Sequence, residues 1–229
     1  MVAFGREMKD IKTQGIVLRR TNYGEADRIL NIITPVGKIG VMARGVRKPK
    51  SKLAGGVEMF TLADLQIHQG KSELGVLTSA RMVRHFGEIV KNYELMQVAG
   101  TMLKRVSVAS ESVDSEEYYE ITKNVLEGLN DGMDVRLVET WFVLNLRKVG
   151  GEELNVHRDA SGEILAAGEK YDWNNVDEVF VRHDNGEYGE SEIKLLRLMS
   201  RVDLKSIGRV KIEQGIISRV YDIIRIWEN

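Results

Sequence analysis

The stretch "GIVLRRTNYGEADRILNIITPVGKIGVMARGVRKPKSKL", residues 15–53, decides the fold. It opens on the β-formers Ile16, Val17 and Leu18, and "RILNIIT" at 28–34 is a second run of the same kind. Pro35 and Gly37 then separate two apolar runs, which predicts a hairpin. Ile39, Val41 and Ala43 alternate with smaller or polar neighbours, as a half-buried strand requires. Further out, "FTLADLQIH" at 60–68 alternates in part, Gln69-Gly70-Lys71 reads as a turn, and "ELGVLTSA" at 73–80 is the returning strand. Five short strands in one run predict a small closed or partly open barrel, of which the OB-fold is one type.

After residue 80 the apolar period changes from about two to about 3.6. Leu95, Val98, Met102 and Val106 recur at helical spacing within 85–109. Asp114 and Glu117 resemble an N-terminal capping pair, and Tyr118, Ile121, Val125 and Leu129 form an apolar stripe behind them. Asn130-Asp131-Gly132 stops that helix. The segment 135–149 is apolar on most sides and reads as the central helix of a bundle. Residues 150–189 are rich in glycine and charge, with "GEILAAG" and "EVFVRH" as short strands of a small insert. Helical patterning returns at 191–199 and in a last helix with Ile212, Ile216, Val220, Ile223 and Trp227 on one face. The fold class expected is α+β and multidomain: an OB barrel over 1–82, then a helical bundle over 83–229 with its insert at 150–189.

The chain has 229 residues, no cysteine and a net charge of −1. Disulfides, thiol catalysis and cysteine-based zinc sites are excluded. No apolar run is long enough for a membrane helix, and "MVAFGREMKDIK" lacks the marks of a signal peptide, so a cytoplasmic location is expected. The small net charge hides an asymmetry. Residues 1–80 hold 13 cationic and 7 acidic side chains, a net of +6, so the remainder carries −7. Much of the excess sits in "ARGVRKPKSK" at 43–52, as Arg44, Arg47, Lys48, Lys50 and Lys52 with no acid among them. Three readings are open for it: a solvated turn, a targeting signal, or a phosphate-binding loop. The third has a mechanism, since each neutralised phosphate releases condensed counterions. Pro49, Gly55 and Gly56 suit a loop that stands away from the barrel.

The order and spacing of several of these elements resemble the opening of the bacterial RecO family. The shared features are Gly15-Ile16-Val17-Leu18, Tyr23-Gly24-Glu25-Ala26-Asp27, Thr34 and Gly37 of the hairpin, Ala43-Arg44-Gly45-Val46-Arg47, and Ser51. The later half resembles the family in layout and in the Ser218-Arg219 of its closing helix. The resemblance implies an OB barrel followed by a helical domain. It implies binding of single- and double-stranded DNA, annealing of complementary strands, and no catalytic turnover. It also implies action with RecR to help RecA displace single-stranded DNA-binding protein (SSB), and so an association with the nucleoid.

With the resemblance added, the basic stretch becomes the expected DNA site, widened by Arg19, Arg28 and Lys38, with Arg20 also nearby. Tyr23 and Phe60 are the candidates for base stacking, although barrel core or turn anchoring is the commoner use of such residues. SSB's acidic, hydrophobic tail needs a cation beside an apolar pocket, for which Lys104, Arg105, Arg136 and Arg147 are the candidates. Many relatives carry a four-cysteine zinc knuckle in the insert. Here "ELNVHRDASGE" and "VRHDNGEYGE" stand at the expected places, with His157, Ala160 and His183 where cysteines would be. Two histidines cannot close a tetrahedral site, so no metal and no cofactor are expected, with packing and strand pairing holding the insert.

Two other readings compete. One is a protein-interaction scaffold whose barrel binds DNA weakly or not at all. The other is a metal-dependent nuclease using Glu25 and Asp27, for which no third ligand stands at useful spacing. A turn whose carboxylates cap backbone donors, or pair with Arg28, explains that acidic pair more simply. His68 and His85 read as isolated surface or packing residues. No phosphate loop for ATP and no Gly-x-Ser-x-Gly motif is present.

Overall fold

The computed structural model describes residues 9–112 and 115–227. The chain divides into two compact units, Met1–Asn130 and Asp131–Asn229. The first opens with β1 (Lys9–Tyr23), β2 (Asp27–Thr34), β3 (Gly37–Ala43), β4 (Thr61–Gln69) and β5 (Gly75–His85). They close a barrel in the order β1-β2-β3-β5-β4, the OB arrangement. All pairs are antiparallel except β3 with β5, whose parallel pairing is confined to Val41–Gly75 and Met42–Val76.

β1 serves two neighbours. Residues 9–16 pair with β4, residues 16–23 pair with β2, and a bulge lies between Val17 and Arg19. The changeover requires a residue with no side chain. A Cβ on Gly15 would lie 2.6 Å from Ile32 Cγ2 and 2.7 Å from Leu65 Cδ1. The barrel interior follows the two-residue period, with Leu30, Ile32, Val41, Ala43, Ala63, Leu65 and Ile67 packed in one cluster. Thr34 closes the β2–β3 hairpin, its hydroxyl donating to the Gly37 carbonyl at 2.8 Å. Two boundaries differ from the sequence reading. β1 begins at Lys9 because "KDIKTQ" finds its partner in β4, and β5 continues to His85, opposite Thr61, before any helix begins.

The helices α1 (Gly87–Lys91), α2 (Tyr93–Ser112) and α3 (Glu117–Asn130) complete this unit. α2 and α3 both pack on β1, where Ile16 and Leu18 are buried. The Asn92 carboxamide caps α2 through the Glu94 and Leu95 N–H groups. The expected cap Asp114 lies outside the described residues; the Ser115 hydroxyl accepts from the Glu117 N–H at 3.1 Å. The stripe Tyr118, Ile121, Val125 and Leu129 is buried.

The second unit is built on α4 (Val135–Val149), α5 (Glu190–Met199), α6 (Leu204–Ile207) and α7 (Gln214–Trp227). α4 starts on the Asp134 cap, is buried on most sides, and packs on α7. α7 buries Ile217, Val220, Ile223, Ile224 and Trp227. In the insert, β6 (Tyr171–Asn174) pairs with β7 (Val179–Arg182). "GEILAAG" does not form the strand expected of it; only Ile164 makes a bridge, to Arg158. Phe180 is fully buried and meets the rings of Tyr171, Trp173 and Tyr188 edge-on, with centroids 5.1–6.4 Å apart. Arg197 ties two turns of the insert to α5 by donating to the carbonyls of Val156 and Leu165.

Candidate nucleic-acid interface

The basic loop leaves β3 at Ala43. Gly45 takes a positive φ of 62°, and its N–H donates to Asp27 Oδ1 at 2.6 Å. Val46 then turns inward and is 3% exposed, part of the barrel core. The Arg47 N–H donates to the Ala26 carbonyl at 2.9 Å, and the Lys48 N–H to Gly45 at 3.1 Å. The loop therefore does not stand away from the barrel, as its glycines suggested. Gly56 serves close packing instead: a Cβ there would lie 2.7 Å from the Ala80 carbonyl carbon. Asp27 works as a cap for the loop, the plainer of its two sequence readings, and Glu25 is exposed beside it.

This anchoring fixes where the cations project. Arg44, Arg47, Lys48, Lys50 and Lys52 are all exposed. Arg47 Nη1 donates to the Gly24 carbonyl at 3.3 Å; the other four have no side-chain partner among the described residues. Several cations have thus been brought to one short, anchored turn, and among the described residues none of them is ion-paired.

The flanking candidates are placed differently. Arg19 is exposed on β1. Arg28 is held at the barrel mouth, donating to Asn22 Oδ1 at 3.2 Å and Glu58 Oε1 at 3.3 Å. Lys38 is not brought to the loop: its ammonium donates to the Ser107 carbonyl at 3.0 Å and to Glu111 at 3.2 Å, clasping the barrel to α2. Tyr23 is exposed at the tip of β1, whereas Phe60 is buried with a positive φ of 57°. His68 pairs with Asp10, and His85 with Thr61. Composition alone missed the contact between Arg20 and Glu58. The signal was present: Glu58 is the only acid between Asp27 and Asp64.

The tail-binding candidates fall in both units, Lys104 and Arg105 on α2, Arg136 and Arg147 on α4. Lys104 is exposed. Arg136 is a clasp between α4 and α7, donating to Asp134 and to the Ser218 hydroxyl at 2.7 Å, with Gln214 beside it. Its hydrogen bond holds the Asp134 carboxyl below the ordinary range. Arg147 stacks 3.8 Å over the Trp227 ring and pairs with Glu152 at 2.9 Å. On α5, Glu192 is buried beneath Arg219, 2.6 Å away. Burial raises the pKa of Glu192, but the Arg219 hydrogen bond and nearby backbone N–H groups outweigh it and leave the value lowered.

In the insert, Asp159 accepts from the Ser161 and Glu163 N–H groups, and His183 pairs with Asp172 at 2.7 Å. His157 and Ala160 are exposed. Among the described residues no three His, Asp or Glu side chains converge as a metal-binding group. No helix among them is long and apolar enough to cross a membrane.

Residues 8–86 match the family model described as Recombination protein O N terminal, and residues 102–227 match Recombination protein O C terminal. A DNA repair protein RecO from Dehalococcoides mccartyi is 27% identical over 224 residues, covering 94% of this chain and 88% of that protein. One from Listeria monocytogenes is 28% identical over 212 residues, covering 88% of this chain and 82% of its own length. A third, from Listeria innocua, is 28% identical over 213 residues, with 89% and 82% covered. Both halves of the family pattern are thus present in order along one chain, the first over the barrel and the second from within α2 to the end of α7: the chain belongs to the RecO family.

Proposed function

We propose that the chain acts in recombinational DNA repair as a non-catalytic DNA-binding and strand-annealing protein. The observation that carries this reading is the basic loop: five exposed cations on a turn anchored by Val46 and Asp27, in a barrel of OB topology. Arg44, Arg47, Lys48, Lys50 and Lys52 take phosphates from single- or double-stranded DNA, with Arg19 extending the surface. Neutralising two strands at once lowers their repulsion and lets bases pair. Few aromatics are at hand, so backbone electrostatics dominate and sequence preference is weak. Acting with RecR, the protein helps RecA load on SSB-coated single strands. Lys104 on α2 is the exposed cation for the SSB tail, whereas Arg136 and Arg147 are engaged within their own unit. The functional division proposed is a DNA-binding barrel, extended from the expected 1–82 to the end of β5 at His85, followed by a helical domain. The cytoplasm, at the nucleoid, is where such a protein works.

Fluorescence anisotropy with labelled single- and double-stranded oligonucleotides, over a salt series with and without magnesium, tests the reading. The expected result is binding that weakens steeply with salt and leaves DNA intact. No binding at about 50 mM salt, a condition that favours phosphate contacts, would establish the scaffold reading instead. Cleavage only with magnesium would establish the nuclease.

A further inference from the structure

At the barrel mouth two arginines converge on one carboxylate. In the β1–β2 register Arg20 lies opposite Leu30 and Asn22 opposite Arg28, and Arg28 lies opposite Ala43 of β3. Opposed residues share a face of the sheet. Leu30 and Ala43 belong to the barrel core, so Arg20, Asn22 and Arg28 sit on the inward side, where the barrel ends. Their guanidinium groups meet Glu58, Arg20 on Oε2 and Arg28 on Oε1. Glu58 comes from the far end of the basic loop, just past the 3-10 turn Ala54–Val57.

The geometry points to a phosphate subsite in which Glu58 is the resident anion, yielding Arg20 and Arg28 to a nucleic-acid phosphate when DNA binds. This rests on the DNA-binding reading above and deepens it. Three observations support it. First, two guanidiniums on the two oxygens of one anion is the geometry in which arginine also holds a phosphate. Second, the carboxylate is replaceable: the Glu58 side chain is 46% exposed, while Arg28 is only 19% exposed and fixed by Asn22. Exposed ion pairs contribute little, so a polyanion can compete with this one. Third, Ala43, opposite Arg28, is followed directly by Arg44, so the mouth adjoins the start of the basic loop. Glu58 thus lowers affinity for any anion too weak to displace it and favours a continuous phosphate backbone.

The test is a cycle of Glu58→Gln and Arg20→Ala in the full chain, read as anisotropy of a labelled oligo-dT over a potassium chloride series. Glu58→Gln keeps the size and the hydrogen-bonding oxygen while removing the charge. It should tighten binding severalfold at low salt and steepen the salt slope by about 0.7 for the single-strand contact released. Arg20→Ala should then lower the slope by about 0.7 in the Glu58→Gln protein, and by less in the parent. A slope unmoved by Glu58→Gln, with parent binding that still falls with salt, would overturn the subsite and leave the loop reading standing. Failure of parent and variant alike to bind would overturn both. Should Glu58→Gln not fold, Glu58→Asp, which keeps the charge but is too short to hold both arginines, must tighten binding in the same direction; unchanged affinity there overturns the subsite.

Discussion

The cations of the basic loop and those that clasp acids within the second unit are used in opposite ways. In the loop, Arg44, Lys48, Lys50 and Lys52 face solvent with no partner among the described residues. In the second unit, Arg136, Arg147, Lys148, Arg182, Lys194 and Arg219 each have a carboxylate at 2.5–3.4 Å. A cation whose neighbour is an acid organises its own fold and presents little field to a partner. An unpaired cation adds nothing to stability, but its field is free to act on a polyanion. Position in the sequence does not decide the matter. Lys38 and Arg28 belong to the basic half, yet Glu111 and Glu58 place them with the paired group.

The hardest way to break the comparison is at the one apolar residue that pins the loop. Val46→Asp would place a carboxylate among Val41, Ala43 and Val57, at a cost of roughly 3–5 kcal/mol. Urea unfolding should show the loss; a change below about 1 kcal/mol would mean that Val46 does not anchor the loop. Arg219→Ala comes next. It strips Glu192 of its charged partner, and because Arg219 is 44% exposed the expected loss is about 2 kcal/mol rather than the full value for a buried pair. DNA affinity should be unchanged in that variant, and a lower salt slope would contradict the division drawn here. The triple substitution Arg44→Ala, Arg47→Ala, Lys48→Ala should do the reverse. Unfolding should move by no more than about 0.5 kcal/mol, while the salt slope of DNA binding falls by roughly two to three, near 0.7–0.9 per contact. An unchanged slope would remove the loop from the DNA site.

Local signals were legible in the sequence and long-range pairings were not. The apolar pattern of 135–149 places the central helix at its observed ends, which the Asp134 cap and Gly150 close in the fold. The β2–β3 hairpin was marked by Pro35 and Gly37. The strand segments at 9–14 and 81–85 escaped because their own pattern is weak and their pairing with β4 supplies the order. The same holds at the site. The loop's charge was plain, but Val46 among arginines gives no sign that it plugs the barrel. Lys38 is separated from Glu111 by 73 residues and Arg28 from Glu58 by 30, so only the closed fold shows that these cations are engaged.

The smallest expected effect separates the two units by acid. Asp134, Asp159, Glu192 and Asp203, all in the second unit, titrate below their ordinary values, against Asp64 in the first. The causes are the Arg136 hydrogen bond for Asp134, Ser161 for Asp159, and the Ser206 N–H for Asp203; for Glu192 burial opposes the shift and Arg219 prevails. A carboxyl depressed in the folded state stabilises it above the unfolded value, near pH 4, and that stability disappears as pH falls through the folded value. The second unit should therefore loosen before the barrel on acidification. Hydrogen exchange followed by mass spectrometry at stepped pH should show protection in α4, α5 and α7 falling first. Glu192→Gln should narrow that gap, because the variant has already lost what acid removes. Its deficit relative to the parent should be constant above pH 6 and shrink below the unfolded carboxyl value. A deficit that grew on acidification would mean that Glu192 is not held ionised by Arg219, and this buried paired site would no longer stand opposite the loop.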